Sequence, residues 1–176
     1  MSRVMLNVTD IPAEGREFTF DDPGVWIAAW NEFGLPYTMS EPLRAELFIL
    51  PEKTGFLVRG RIDGVVAAPC SRCAEDALVP VAVRFDVFED KPGPQADPLE
   101  GGHLAAHGKT LELDVGGLLW EHFELAMPVK PLCDPDCAGL CPVCGGNQNV
   151  AACACKAKGG DPRLAVLSNL KIERKK

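Results

Sequence analysis

The chain has 176 residues, 47% of them apolar and 24% charged, and carries a formal net charge of −7. That balance excludes a disordered chain, and the length is enough for one domain whose core needs no covalent staples. No apolar run approaches the ~18 residues of a membrane span, and the opening "MSRVMLNVTDIPAEG" has no apolar h-region, so a cytoplasmic location with no membrane partner is expected.

Residues 1–40 read as a helical and extended N-terminal segment. Within it "DDPGVWIAAWNEFGLP" predicts a helix, with Asp22 as cap, Pro23 in the first turn, and Gly34 and Pro36 as stop signals. Trp26, Trp30 and Phe33 then share one face, as core residues do.

Residues 43–128 read as a sheet core. "LRAELFIL" (43–50) and "GFLVRGRIDGVVAAPC" (55–70) are rich in β-branched and aromatic residues, and the Asp63-Gly64 pair predicts a turn between two arms of the second. "VPVAVRFDVFED" (79–90) alternates and sets Val81, Val83, Phe85 and Val87 on one face of a half-buried strand. The Pro/Gly-rich stretch 89–108 predicts a long exposed loop, whose His103 and His107 are weak ligand candidates because glycines flank them. "KTLELDV" follows as a short strand. "VGGLLWEHFELAMP" then reads as a helix with Leu118, Leu119, His122, Phe123 and Ala126 on its apolar side, and Asp161-Pro162 starts a last helix that runs into a basic tail, 161–176.

The cysteines concentrate the chemistry. Cys70 and Cys73 lie in "PCSRCAED", and Cys133, Cys137, Cys141, Cys144, Cys153 and Cys155 fall within 131–156. Cytosolic thiols stay reduced, and a C-x2-C turn can aim two thiolates at one ion while its backbone N–H groups face the sulfurs. A closed, sulfur-only set suits structural zinc better than catalytic zinc, which keeps an open position. An iron–sulfur cluster and redox thiols are the alternatives, the latter without a C-x-x-C at a helix start. Spacing leaves the partition open: two zinc ions, one on Cys141, Cys144, Cys153 and Cys155 and one on Cys70, Cys73, Cys133 and Cys137, or a single ion joining Cys70 and Cys73 to two later cysteines.

Charge is unevenly spread. Residues 156–176 hold seven Lys/Arg against Asp161 and Glu173, which leaves 11 basic and 23 acidic residues in 1–155, a net of −12. Such asymmetry can bring one end to phosphates or simply solvate a tail. No P-loop, dinucleotide fingerprint or activated nucleophile is present, so neither an enzyme nor a small-molecule substrate is expected.

The succession "CSRCAEDALVPVAVRFDVFED", "LELDVGGLLWEHFELAMPVKPLCDPDCAGLCPVCGGNQN…CAC" and "DPRLAVLSNLK" resembles the YceD family, named for large-subunit ribosomal RNA accumulation, over about residues 44–171. The resemblance implies a non-enzymatic ribosome-assembly factor acting on large-subunit ribosomal RNA or a precursor particle, and it places the family's cysteine motifs on the eight cysteines above. Ala74 and Gln148 depart from it, each standing where the family usually has Leu. In an acidic body, direct RNA contact should fall on Arg59, Arg61, Arg72 and Arg84 and on the tail cations Lys171, Arg174, Lys175 and Lys176. The competing expectation is an acidic adaptor that binds ribosomal proteins or other assembly factors without touching RNA. The expected fold is α+β in one domain: a mostly antiparallel, partly barrel-like sheet, a few helices and a C-terminal zinc-knuckle segment.

Overall fold

A computed structural model describes residues 4–93 and 102–155. The β-branched stretches become three long antiparallel strands, β3 (Thr38–Pro51), β4 (Gly55–Pro69) and β5 (Asp76–Asp90), and β2 (Arg16–Phe20) joins β3 to complete a sheet ordered β2-β3-β4-β5. A smaller antiparallel sheet is ordered β1-β7-β6, from β1 (Met5–Asn7), β6 (Leu104–His107) and β7 (Thr110–Asp114). Two helices, α1 (Gly24–Glu32) and α2 (Val115–Ala126), cover the inner face of the larger sheet.

Register explains which face is apolar. Ile62 lies opposite Ala45 and Val83, and Val58 opposite Ile49 and Val87, so inward positions align in rows across three strands. Phe123, on α2, is fully buried at the centre, with the rings of Trp26, Trp30, Tyr37 and Trp120 all within 6.3 Å of its own. Phe33 is half exposed yet stacks on Trp120 at 5.2 Å, which ties the end of α1 to α2. Gly60 leaves the space that the Phe85 ring fills from the neighbouring strand, and Phe85 in turn stacks on His122 at 3.8 Å. Burial holds His122 below its usual pKa, and Asp114 caps α2 by accepting from the Gly117 N–H at 3.0 Å.

Four expectations change. Asp63-Gly64 is no turn: β4 runs unbroken through it, because β3 and β5 pair with it from both sides. Gly64 sits instead opposite an irregularity in β3, with φ +151 and room for no side chain, since a Cβ would lie 2.7 Å from the Pro42 carbonyl oxygen. The stretch 89–108 is not all loop. Glu89 and Asp90 end β5, and Leu104–His107 pairs with β7. His103 and His107 face Glu121 and Glu112 at 3.0 and 3.8 Å. Among the described residues neither sheet closes into a barrel, and Ala126 is exposed at the end of α2. The expected C-terminal helix and tail fall outside the described residues.

Candidate metal centres

β4 and β5 are joined by "CSRCAE", so the first C-x2-C is the tip of the longest hairpin. The Arg72 N–H points at the Cys70 sulfur at 3.4 Å, and the Ala74 N–H donates to the Cys70 carbonyl at 2.9 Å. The second, "CPVCG", repeats this: Val143 N–H to the Cys141 sulfur at 3.4 Å and Gly145 N–H to the Cys141 carbonyl at 2.8 Å. The residue after each pair has positive φ, +62 at Ala74 and +73 at Gly145. A glycine adopts that conformation freely, whereas Ala74 must be held in it.

Each turn meets a second pair of sulfurs. Cys70, Cys73, Cys133 and Cys137 form one group and Cys141, Cys144, Cys153 and Cys155 another, with all sulfurs of a group within 4.8 Å of one another. In the first, Cys73 and Cys133 are 3.5 Å apart and Cys70 and Cys137 3.8 Å. A tetrahedron of zinc–sulfur bonds has edges of roughly 3.8 Å, so four thiolates here fit such an ion, and each group could hold one. The two-group partition is the one the structure contains.

The protonation pattern has the same cause in both groups. The Cys133 N–H leads in holding the Cys70 thiol down to about 6, and the Cys144 and Val143 N–H groups hold Cys141 down to about 6. Crowding by Cys73 and Cys137 pushes Cys133 up to about 12, and Cys144 and Cys153 push Cys155 up to about 11. Each group thus has one sulfur prepared as thiolate and one that its neighbours keep protonated, so filling it with a cation releases protons.

Backbone and side-chain contacts fasten the cysteine segment to the hairpin tip. Ser71 N–H donates to the Pro131 carbonyl at 2.8 Å, Leu140 N–H to the Arg72 carbonyl at 3.0 Å, and Arg72 Nη1 to the Cys137 and Pro135 carbonyls at 2.8 and 3.3 Å. Asn149, which lies between the ligands of the second group, donates from Nδ2 to the Cys137 sulfur of the first at 3.2 Å and accepts from the Ala138 N–H at 2.7 Å. Asn147 in turn accepts from Asn149 at 2.8 Å and donates to Glu75 at 3.5 Å. The two centres therefore form one unit.

The sequence model of the family described as "Large ribosomal RNA subunit accumulation protein YceD" matches residues 58–171. The chain belongs to the YceD family. It is 20% identical over 161 residues to the Arabidopsis thaliana "Large ribosomal RNA subunit accumulation protein YCED homolog 1, chloroplastic", covering 77% of this chain and 50% of that one. The Zea mays protein of the same name is 28% identical over 134 residues, 57% of this chain and 45% of its own. An uncharacterised Mycobacterium tuberculosis protein is 28% identical over 91 residues, 52% of this chain and 44% of its own. The chain thus spans about half the length of these relatives. No solved structure matches. Among the described residues no helix is long and apolar enough to cross a membrane.

On this YceD scaffold the four described arginine candidates separate. Arg72 is engaged with the cysteine segment, as above. Arg59, Arg61 and Arg84 come together with Arg44 on the outer face of the larger sheet, along a groove of about 590 Å³. Lys171, Arg174, Lys175 and Lys176 lie outside the described residues. Reading the sequence by spacing missed Arg44, Asn147 and Asn149. The outward period of β3, which puts Arg44 with Glu46 and Phe48, could have found the first.

Proposed function

We propose that this chain is a non-catalytic ribosome-assembly factor that promotes the accumulation or processing of large-subunit ribosomal RNA, with a structural zinc ion in each sulfur group. Membership of the YceD family carries this reading. The donor sets support the zinc: both are sulfur-only and spaced for tetrahedral coordination, and neither includes a histidine or carboxylate of the kind that accompanies an open catalytic position. The ion's contribution is electrostatic. Zinc would offset the repulsion among four crowded thiolates, leaving a net −2 on each filled group, and so would keep 131–155 fastened to the β4–β5 tip. Function then belongs to the surface so presented.

The test is depletion in cells, followed by the ratio of large- to small-subunit ribosomal RNA. The ratio should fall on depletion and recover with the wild-type chain but not with Cys137→Ser. An unchanged ratio on depletion refutes the assembly role, and full rescue by Cys137→Ser refutes the structural role of the first centre. The net −12 of residues 1–155 favours a second reading, an adaptor for basic ribosomal proteins. Purified protein mixed separately with naked ribosomal RNA and with those proteins separates the two.

A further inference from the structure

The groove on the outer face of the larger sheet has no part in the metal centres. Six arginines lie among the described residues and four of them line it, with no lysine. Glu17, Glu46 and Asp86 also line it, so its formal charge is +1 within a body of −12. Register makes the arrangement costly. Arg61 lies directly opposite Arg84 across β4 and β5, a like-charge pair that destabilises a sheet. The other cations have carboxylate neighbours: Arg44 pairs with Glu46 at 3.1 Å, Arg59 with Asp86 at 3.5 Å, and Arg61 Nη2 donates to Asp63 at 2.9 Å. All three pairs are largely exposed and therefore weak, and Arg84 has no ion-pair partner among the described residues. Arg61 and Arg84 thus bring two guanidinium groups to the same row of the groove, one of them without an ion-pair partner among the described residues, and guanidinium groups are well suited to phosphate oxygens. Phe48 also lines the groove, half-buried and opposite Glu17 and Arg59, with its ring packed against Gly15.

We propose that this groove binds single-stranded RNA: Arg61 and Arg84 share a phosphate, Arg44 and Arg59 trade their exposed carboxylates for neighbouring phosphates, and a base stacks over Phe48. The choice of RNA rests on the assembly-factor reading. The open face of a four-stranded antiparallel sheet suits it, because single strands lay bases on aromatics there while arginines track the backbone.

The test uses the full zinc-loaded chain and a labelled oligouridylate of about 12 nucleotides, with binding followed by fluorescence anisotropy across a salt series. Arg61→Gln with Arg84→Gln should weaken binding about 10-fold or more and lower the salt slope by about 0.7, the value for the one phosphate that the pair shares. Lys109→Gln with Lys130→Gln removes the same charge elsewhere and should change affinity less than about 2-fold. The groove variant should melt at or above the wild-type temperature, because it relieves a like-charge pair. Arg84→Gln alone, which breaks no ion pair among the described residues, should weaken binding by about 3-fold. Equal losses in the two double variants, an unchanged affinity in the groove variant, or a wild-type chain that binds only a basic protein overturns the proposal. Co-sedimentation with precursor large-subunit particles separates the two readings. If the wild-type chain still travels with the particle while groove variants bind oligouridylate normally, the groove assignment falls and the assembly role stands.

Discussion

Asn149→Ala is the sharpest perturbation of the metal centres, because the residue belongs in sequence to one group and bonds to a sulfur of the other. The change removes the Nδ2 hydrogen bond to Cys137 at 3.2 Å and the acceptor of the Ala138 N–H at 2.7 Å. A hydrogen bond to a charged partner contributes about 1.5–3 kcal/mol and a neutral one about 1 kcal/mol. Asn149 is exposed, so water replaces part of each. A net loss of about 2 kcal/mol corresponds to about 30-fold in affinity, within the 10–100-fold typical of groups that orient metal ligands. The measurement is a chelator competition on cadmium-loaded protein, read by cadmium NMR, which resolves the two ions. The ion on Cys70, Cys73, Cys133 and Cys137 should leave about 30-fold more readily while the other holds. Preferential loss from the group that flanks Asn149 in sequence, or no change at either, refutes the coupling.

Metal analysis should find two ions per chain, with the cysteine thiols protected from alkylation until a chelator is added and all eight reactive afterwards. Thiols already joined in pairs in the purified protein would contradict this. Phe123→Ala, at the centre of the aromatic cluster, should cost about 3–5 kcal/mol in urea unfolding. Gly64→Ala should cost about 2–3 kcal/mol in the same experiment, from positive φ and the clash with the Pro42 carbonyl. His122 has a folded pKa lowered by burial, so its neutral form favours the native state: that contribution is whole above the unfolded value of about 6.5 and is lost as pH falls through the lower folded one. His122→Phe keeps the stack on Phe85 and should flatten the loss of stability below about pH 6.5, as measured by melting temperature against pH.

Features set by short-range spacing were legible in the sequence. The alternation of Val81, Val83, Phe85 and Val87, the Gly34 stop of α1 and the twin C-x2-C turns all depend on neighbours a few residues apart. Features set by pairing were not. Asp63-Gly64 carries a strong local turn signal, but two flanking strands draw β4 straight through it. Leu104–His107 looks like loop until β7 is available to pair with it. Spacing could not partition eight cysteines, because the choice depends on where the hairpin tip meets a segment some 60 residues later. The meeting of Arg61 with Arg84 likewise exists only once the β4–β5 register is known.

Cys70 and Cys73 terminate a hairpin whose two strands are 15 residues each, so a one-residue slip anywhere along it would turn inward side chains outward and misalign the sulfurs together. An ion held there would proofread alignment: a chain zipped up wrongly could not present the four-cornered cage, and only a correctly closed hairpin would retain its cargo.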